Sequence, residues 1–368
     1  MKIRIDQKEL ADATKRAHRR LPTNPVTPIM AGLVLEADND TVTLSGFDYE
    51  TSTRAALEAE ALEDGAVVAS GRLLADVAGA LPAGPVDLVA DANNLTVTTP
   101  GNQFQMPLMP RHEYPSLPVP PEPSGTVNGA LLADALVHAA SAAMSQKDAV
   151  GQLEAFGGVH LVAGDEQLRM WASDRYRMVE HTIDWAGRDG SLLIPAAELA
   201  ATAKTLADRD VTIAFPGPDL GVAALSGGGV TVTGRCIAAK FPDITRIFPK
   251  KEETEGNAVF DARDLADAVK RASLVNDDKT PIRLAIGDGE AVVHGGQHGT
   301  SGASTIAADI EGIGDFNIAF NPHYLNSLIA PIDGRVRLWL TTPTKPVLIE
   351  PVDGDTYRAC LMPVRLSS

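Results

Sequence analysis

Near the start of the chain, the residues best suited to bind a ligand are cations at helical spacing. Lys8, Lys15 and Arg19 lie at positions i, i+7 and i+11, so a helix presents them on one face. The charged residues of this stretch are Lys8, Glu9, Asp12, Lys15, Arg16, Arg19 and Arg20. Their net charge of +3 favours contact with phosphate groups, but the same pattern is typical of a helix face that is merely solvated.

This basic stretch stands in an acidic chain. The sequence has 368 residues, with 32 Lys and Arg against 48 Asp and Glu, and its formal net charge is −16. Such a charge argues against a protein that coats nucleic acid through bulk attraction. It leaves open a local basic stripe within an acidic body.

Motifs for catalysis or metal binding are missing from the sequence. It contains no Gly-x-Ser-x-Gly elbow, no phosphate-binding P-loop and no His-Glu-x-x-His pair. Cys236 and Cys360 are too few for a disulfide framework or a cysteine-rich zinc site, and we expect both to be small buried residues. His294 and His298 are four residues apart in a glycine-rich turn rather than a helix, so no metal site is predicted. A carboxylate-dependent hydrolase remains the enzyme alternative, because carboxylates distant in sequence can meet in space.

The elements that position these residues repeat along the chain. Residues 42–49 align with residues 168–175, which places Asp48 opposite Asp174, and a weaker third copy places Gln297 at the same position. Each copy begins with a predicted helix, over residues 7–21, 129–144 and 261–275. A second helix is predicted midway through each copy, over residues 71–81, 195–207 and 321–329.

The copies predict an α+β protein with three tandem domains, 1–121, 122–249 and 250–368, each with two helices packed on antiparallel sheet. The junctions are a proline-rich run at 117–125 and a charged run at 249–256, which predicts a solvated hinge. Since no secretory signal and no apolar run of membrane-spanning length are visible, the expected location is the cytoplasm.

Four short segments, in order along this repeat, carry a resemblance to a known family. They are Thr-Pro-Ile-Met at 27–30, Ser-Asp-Arg-Tyr-Arg-Met at 173–178, Phe-Pro-Asp-Ile-Thr-Arg-Ile-Phe-Pro at 241–249 and Leu-Met-Pro-Val-Arg-Leu at 361–366. With them, the whole chain resembles the bacterial sliding clamp family, the beta subunit of DNA polymerase III.

The resemblance implies three DNA-clamp domains per chain and a head-to-tail homodimer that forms a six-domain ring. Such a ring encircles double-stranded DNA without sequence preference and acts as the processivity factor of the replicative polymerase. The implied partners are the DNA polymerase III alpha subunit, the clamp loader and other clamp-motif proteins. No cofactor, metal or catalytic site is implied, and the expected location becomes cytoplasmic and nucleoid-associated. The DNA-facing residues would be Lys8, Lys15, Arg16, Arg19 and Arg20.

The family also has a peptide pocket, shared by the second and third domains, that takes a short partner motif with a Gln and hydrophobic anchors. The matching positions are Ser173, Arg175, Tyr176, Arg177, Met178, Pro242, Arg246, Ile247, Asn321, Tyr324, Val347, Met362, Pro363, Val364, Arg365 and Leu366. By the same resemblance, an edge strand near Phe104 and Met106 would meet a third-domain helix near Leu274 of the second subunit.

Some positions depart from the family pattern. Asn24 replaces a common Arg, Ser173 stands where Thr is usual, and Met178 stands where Leu is usual. These departures keep open the alternative of a clamp paralogue with an altered set of partners.

Overall fold

The computed structural model describes residues 1–39, 41–217, 221–277, 280–297 and 299–365. The chain forms two compact units. The first combines Met1–Ala130 with Lys204–Cys236, and the second combines Leu131–Ala203 with the chain from Ile237 onward.

The described ranges contain six α-helices: α1 Gln7–His18, α2 Gly71–Ala80, α3 Gly129–Ser141, α4 Ala196–Leu206, α5 Ala262–Ser273 and α6 Pro322–Ile329. The strands of the first third are β1 Lys2–Asp6, β2 Gly32–Asp38, β3 Thr41–Phe47, β4 Thr51–Glu58, β5 Glu60–Glu63, β6 Gly65–Ser70, β7 Pro85–Ala90, β8 Asn94–Thr99 and β9 Asn102–Met109. Those of the second third are β10 Gly125–Asn128, β11 Gly158–Gly164, β12 Gln167–Ser173, β13 Arg177–Asp184, β14 Ala186–Gly187, β15 Gly190–Pro195, β16 Asp210–Ala214, β17 Val222–Gly227 and β18 Val230–Arg235. Those of the last third are β19 Gly256–Asp261, β20 Ile282–Gly287, β21 Glu290–Gly295, β22 Gly302–Ala307, β23 Asp309–Glu311, β24 Phe316–Phe320, β25 Arg335–Leu340, β26 Val347–Pro351 and β27 Tyr357–Leu361.

The order of these elements repeats three times. Each third of the chain runs strand, helix, five strands, helix and three strands, which confirms the threefold repeat predicted from the sequence. The domain boundaries at 121/122 and 249/250 stay a prediction.

The compact units do not follow the sequence copies, because continuous sheets join neighbouring copies. In the first unit, β18 pairs antiparallel with β4, and the sheet runs β10-β16-β17-β18-β4-β3-β2-β6-β9-β8-β7-β1-β5. In the second unit, β13 pairs antiparallel with β27, in the order β15-β11-β12-β13-β27-β26-β25-β19-β23. A four-stranded sheet, β22-β21-β20-β24, completes the second unit.

Helix α1 shows how the sequence sets its own boundaries. The Asp6 carboxylate accepts the backbone N–H of Lys8 at 2.9 Å and caps the start of the helix. The predicted apolar positions Leu10, Ala13 and Ala17 are all buried against the unit's core. The prediction of a helix to residue 21 is too long: α1 ends at His18, because Pro22 disfavours helical backbone at the residue before it.

The charged junction at 249–256 is mostly exposed, as predicted for a solvated run, and its role as a hinge stays a prediction. Within it, the Lys251 ammonium lies 2.7 Å from a Glu350 carboxylate oxygen. The same ammonium lies 5.6 Å from the centre of the Trp339 ring, whose N–H donates to Glu350 at 2.8 Å. These contacts tie the junction to the strands β25 and β26 of the second unit.

Candidate functional site: an apolar pocket and a basic helix

The second unit contains a half-open cavity of about 180 Å³ with mostly apolar walls. Its lining residues are Phe156, Ser173, Arg175, Tyr176, Arg177, Met178, Pro242, Ile244, Ile247, Cys360 and Met362. They come from the short helical segment Gly151–Gly157 before β11, the ends of β12 and β13 with the turn between them, the segment that follows Phe241, and the end of β27 with the residue after it. A cavity of this size and character suits an apolar side chain of a partner better than a whole cofactor.

The turn between β12 and β13 forms one wall of the pocket. The Asp174 carboxylate accepts the backbone N–H groups of Tyr176 and Arg177, both at 2.9 Å. The Ser173 hydroxyl accepts the N–H of Arg175 at 3.0 Å and donates to the carbonyl of Arg177 at 2.9 Å. Short polar side chains thus hold the turn, as Asp and Ser do in Asx-type turns.

The same turn recurs in the first unit at the position that the sequence repeat aligns. The Asp48 carboxylate accepts the N–H groups of Glu50 at 3.0 Å and Thr51 at 2.6 Å. Tyr49 has φ of 75°, and Arg175 has φ of 77°. The alignment of Asp48 with Asp174 is therefore confirmed.

Arg177 fastens this turn to helix α6. Its Nε lies 3.0 Å from the Asp174 carboxylate, and both side chains are nearly buried. Its guanidinium also donates to the Ser327 hydroxyl and lies 4.5 Å from the centre of the Tyr324 ring. Burial, and then the negative charge of Asp174, raise the pKa of the Tyr324 hydroxyl. Arg177 is a structural support of the pocket wall, with little of its charge open to solvent.

The C-terminal segment closes the pocket on another side. The Met362 N–H donates to the Tyr176 carbonyl at 2.8 Å, and the Val364 N–H donates to the Ala319 carbonyl at 2.8 Å. Met362 itself stays 39% exposed, and Ile247 on the opposite segment is 52% exposed. Apolar surface of this kind at a pocket mouth is available to a binding partner.

The structure brings together half of the predicted pocket residues as lining: Ser173, Arg175, Tyr176, Arg177, Met178, Pro242, Ile247 and Met362. Tyr324 adjoins them through its ring, 6.3 Å from the ring of Tyr176, while Asn321 caps α6 by accepting the N–H groups of His323 and Tyr324. Among the predicted pocket residues that do not line the cavity, Arg246, Val364 and Arg365 are exposed and Pro363 is half-buried. Leu366 lies outside the described residues.

Val347 corrects the prediction for the pocket floor. It is 0% exposed and pairs with Leu361 inside the sheet, so it packs in the core instead of lining the cavity. Phe156, Ile244 and Cys360 line the cavity although they were not predicted to do so. Cys360 is buried as expected, whereas Cys236 is only partly buried, and burial raises the pKa of the Cys360 thiol to about 12. Cys360 is two positions before the predicted residue Met362, and residues two apart on a strand share one face of the sheet. This spacing is the signal in the sequence that could have identified Cys360 as a lining residue.

The basic helix is α1 of the first unit. Lys8, Lys15 and Arg19 are exposed, whereas Arg16 and Arg20 are half-buried. Arg19 and Arg20 follow the last helical residue, and the Arg19 guanidinium donates to the Thr205 hydroxyl at 3.3 Å. Across the described ranges, Lys8 and Lys15 have no carboxylate partner, so their charges are available to an anion.

The three residues predicted for a dimer contact differ in accessibility. Phe104 is 41% exposed on β9, which pairs with β8 along one edge. Leu274, at the end of α5, is 83% exposed. The prediction for Met106 needs one correction: at 1% exposure, its side chain belongs to the core of its own unit, so only its backbone is left to take part in the predicted edge contact.

The described ranges hold no group of three or more His, Cys, Asp or Glu placed to bind a metal ion. His294 is exposed on β21, and His298 lies outside the described residues. In the same ranges, no helix has both the length and the apolar character needed to cross a membrane.

Comparisons with known proteins match the chain along its length. The family model of the DNA polymerase III beta subunit, N-terminal domain, matches residues 1–118, and that of the C-terminal domain matches residues 245–365. The chain is 36% identical to the beta sliding clamp of Streptomyces coelicolor, over 100% of both chains. It is 35% identical to the beta sliding clamp homolog GriR of Streptomyces muensis, over 99% of both.

Solved structures agree on the fold. A DnaN sliding clamp from Pseudomonas aeruginosa, bound to griselimycin, superposes with a TM-score of 0.91 at 21% identity, over 100% of both chains. The sliding clamp of Bacillus subtilis gives a TM-score of 0.91 at 20% identity over the same full lengths. The full-length relatives and this shared fold confirm the resemblance carried by the sequence motifs: the chain belongs to the beta sliding clamp family of DNA polymerase III.

Proposed function

We propose that the chain acts as a DNA sliding clamp, the processivity factor of a replicative DNA polymerase III. The observation that carries this proposal is the full-length similarity to beta sliding clamps at 36% identity. The pocket and the basic helix supply the two kinds of contact that such a function requires. The pocket holds partner proteins, and the basic helix faces the DNA phosphates.

Contact with DNA is proposed to be weak and independent of sequence. Lys8, Lys15 and Arg19 offer point charges to phosphates, and phosphate contacts carry no sequence information by themselves. The net charge of −16 opposes adhesion of DNA to the rest of the molecule. A clamp with these properties stays on DNA because it encircles the duplex, and it can slide because no single contact is strong.

Encirclement requires a closed ring, for which we propose the head-to-tail homodimer with six domains. The segment Asn102–Pro107 of β9 pairs with β8 on one edge, and in the described ranges its other edge has no strand partner. Unpaired edges readily take up another chain. The exposed side chains of Phe104 and Leu274 mark the two faces that would meet in the dimer.

The proposed role is architectural rather than enzymatic, with no catalytic site, cofactor or metal. The proposed partners are double-stranded DNA, the polymerase III alpha subunit, the clamp loader and other proteins with a clamp motif. A cytoplasmic, nucleoid-associated location follows from a role on the chromosome.

Topological retention on DNA tests the proposal. The chain is loaded by a bacterial clamp loader onto nicked circular DNA, which is then divided and half of it linearised. In gel filtration at 0.3 M salt, we expect the protein to elute with circular DNA and to separate from linear DNA. A closed ring cannot leave a circle, but it can slide off a free end. Equal retention on both forms would contradict a topological mechanism.

A matched control separates ring closure from other defects. Leu274→Asp places a charge on the proposed dimer face, so we expect a native mass of one chain and no retention on circles. Val119→Asp, at another exposed apolar residue, should leave both the dimer and retention intact.

The basic helix gives an independent prediction. Lys8→Glu together with Lys15→Glu should flatten the salt dependence of binding to short duplex DNA, reducing the slope of log K against log salt by about 2. The reference variant is Lys2→Glu with Lys345→Glu, which has the same net charge and leaves α1 unchanged. Anisotropy titrations between 20 and 200 mM salt measure the slope. An equal change in the two double variants would assign the effect to total charge, against a role for this helix.

A specialised clamp paralogue is the second candidate. The observation that favours it is the 35% identity to a protein named as a beta sliding clamp homolog, nearly equal to the 36% with a beta sliding clamp. The two candidates differ in whether the chain replaces the principal clamp. The discriminating observation is whether the source genome carries a second, more conventional clamp gene. Where it does, growth supported by this chain after depletion of that gene would favour the housekeeping role.

A further inference from the structure

One wall of the pocket is formed by residues 241–249, a segment without a strand or an α-helix that we call the strap. Its residues Pro242, Ile244 and Ile247 line the cavity. The N–H of Ile247 donates to the carbonyl of Ile244 at 3.0 Å. In the described ranges, no hydrogen bond joins the backbone of the strap to the rest of the fold. The packing of its side chains therefore holds this wall of the pocket in place.

A phenylalanine with a buried ring stands near each end of the strap. Phe241 and Phe248 are both 6% exposed. The centre of the Phe241 ring lies 5.2 Å from that of His160 and 6.2 Å from that of Phe156. Phe248 packs in the same hydrophobic cluster as the lining residue Ile244. Because the strap is short, the positions of these two rings determine where the lining residues between them lie.

The side chain of Arg358 covers the ring of Phe248. Its guanidinium carbon lies 4.6 Å from the centre of that ring. Its Nε donates to the Glu180 carboxylate at 2.5 Å, and a terminal nitrogen pairs with the same carboxylate. The Glu180 side chain is 11% exposed. A cation held over an aromatic ring attracts it more strongly when water is partly excluded. Glu180 and Arg358 together thus restrain Phe248.

Sheet register places this restraint next to the cavity. In the pairing of β13 with β27, Glu180 lies opposite Arg358, and Met178 lies opposite Cys360. The two pairs are two residues apart on each strand, so they share one face of the sheet. Met178 and Cys360 line the cavity. The restraint on Phe248 is therefore the next row of side chains beyond the cavity wall.

The first unit holds its corresponding segment by a different contact from the same strand position. Strands β4 and β13 align residue for residue in the repeat, which places Arg54 where β13 has Glu180. The Arg54 guanidinium donates directly to the carbonyl of Pro118 at 3.0 Å, in the segment that follows the buried ring of Tyr114. In the second unit the same strand position acts through an intermediate side chain, that of Arg358.

We propose, resting on the clamp function above, that Arg358 is a positioning residue for partner binding: with Glu180 it holds Phe248, and through Phe248 it places Ile244 and Ile247 for the apolar side chain of a partner. The lining of the cavity does not include Arg358, so its effect on a partner passes through the strap. A wall that is already in place when the partner arrives lowers the entropy cost of binding.

The variant that tests this role combines Glu180→Gln with Arg358→Met. Methionine keeps an apolar chain over the ring, and the glutamine avoids a nearly buried carboxylate without its partner. We expect a labelled peptide with one Gln and hydrophobic anchors to bind about three- to tenfold more weakly in fluorescence anisotropy, as for loss of a partly desolvated cation over a ring. The matched control, Asp87→Asn with Arg4→Met, removes an exposed ion pair of the first unit at the same net charge and should stay within twofold.

Coupling to the strap distinguishes positioning from a general loss of stability. The Glu180–Arg358 double variant is combined with Ile247→Ala, on the strap, and separately with Met362→Ala, on the segment after β27. Its effect on peptide affinity should shrink in the Ile247→Ala background, because both changes act on one wall, and should add fully to that of Met362→Ala.

Trypsin cleavage supplies a second measurement that needs no peptide. The bond after Arg246 lies in the middle of the strap, and the Arg246 side chain is 88% exposed. In the Glu180–Arg358 double variant, cleavage at this bond, identified by mass spectrometry, should accelerate while cleavage in the first unit keeps its rate. Equal acceleration in both units would indicate global unfolding and contradict the local role.

The outcomes separate this inference from the function on which it rests. Unchanged peptide affinity in the double variant, or an effect that adds fully to that of Ile247→Ala, would overturn the positioning role and leave the pocket in place. If the double variant shows no cooperative urea transition, Arg358→Lys replaces it. Lysine keeps a charge for Glu180 but loses the flat guanidinium, so binding should weaken about two- to threefold, and unchanged affinity would again overturn the role. If no peptide binds the unchanged chain, the pocket assignment and this inference both fail, although retention on circular DNA would still support the clamp.

Discussion

A chain that carries both Ile247→Ala and Met362→Ala is expected to bind a clamp-motif peptide at least tenfold more weakly than the unchanged chain. These side chains are 52% and 39% exposed at opposite sides of the cavity, so a bound partner would cover apolar surface on both. Loss of each apolar contact is worth about 1 kcal/mol, and two such losses exceed the 1.4 kcal/mol that corresponds to tenfold in affinity. Calorimetry or fluorescence anisotropy with a labelled peptide that carries one Gln and hydrophobic anchors measures the change.

The matched control is Val26→Ala with Val150→Ala. These valines are 104% and 65% exposed and line no part of the cavity, so their loss should leave affinity within twofold. Dimerisation of the double pocket variant, measured as its native mass, does not involve the pocket and should remain normal. A pocket variant with unchanged peptide affinity would exclude this cavity as the binding site.

Arg177→Ala is expected to lower the stability of the second unit by about 2–4 kcal/mol. Its guanidinium pairs with Asp174 at 3.0 Å, and the two side chains are 13% and 10% exposed. Removing one member of a nearly buried pair leaves the other charge poorly compensated. The expected loss is below the full cost of a buried pair, because the Asp174 carboxylate keeps two backbone N–H donors.

Tryptophan fluorescence during urea unfolding measures the change in the free energy of unfolding of the second unit. The three tryptophans, Trp171, Trp185 and Trp339, all lie in the second unit. Arg246→Ala is the control: its ion pair with Asp243 is largely exposed, and its removal should change stability by no more than about 0.5 kcal/mol. Equal effects of the two substitutions would mean that Arg177 does not support the turn.

Local structure was predictable because it depends on nearby residues. Helix α2 was expected over residues 71–81 and runs Gly71–Ala80, and α6 was expected over 321–329 and runs Pro322–Ile329 with Asn321 as its cap. Apolar spacing, capping side chains and prolines act over a few residues, so they can be read without the fold. The error at α1 is also local, since Pro22 disfavours helical backbone at the residue before it.

The pocket was predictable only in part. Residues 173–178 form one of the segments that carry the family resemblance, and their predicted place at the pocket rests on that resemblance. Val347 shows the limit, because strand register decides which of two neighbouring side chains faces the cavity. Phe156 lies in the short helical segment before β11 and reaches the cavity only through the tertiary fold. Met106 was misplaced for the same reason as Val347: successive residues on β9 point to opposite faces, and this one points inward.

The amino-acid pattern alone therefore established the repeat, the α+β elements, the basic first helix and, through its motifs, the family. The tertiary structure decided which strands join neighbouring copies into continuous sheets and which side chains of those strands reach a surface. It also revealed that the Arg177 side chain holds a turn through its ion pair with Asp174, whereas Arg175 is exposed at the pocket rim. The physical reason is range: helix and turn signals arise between residues close in sequence, whereas sheet pairing and charge compensation depend on groups that only folding brings together.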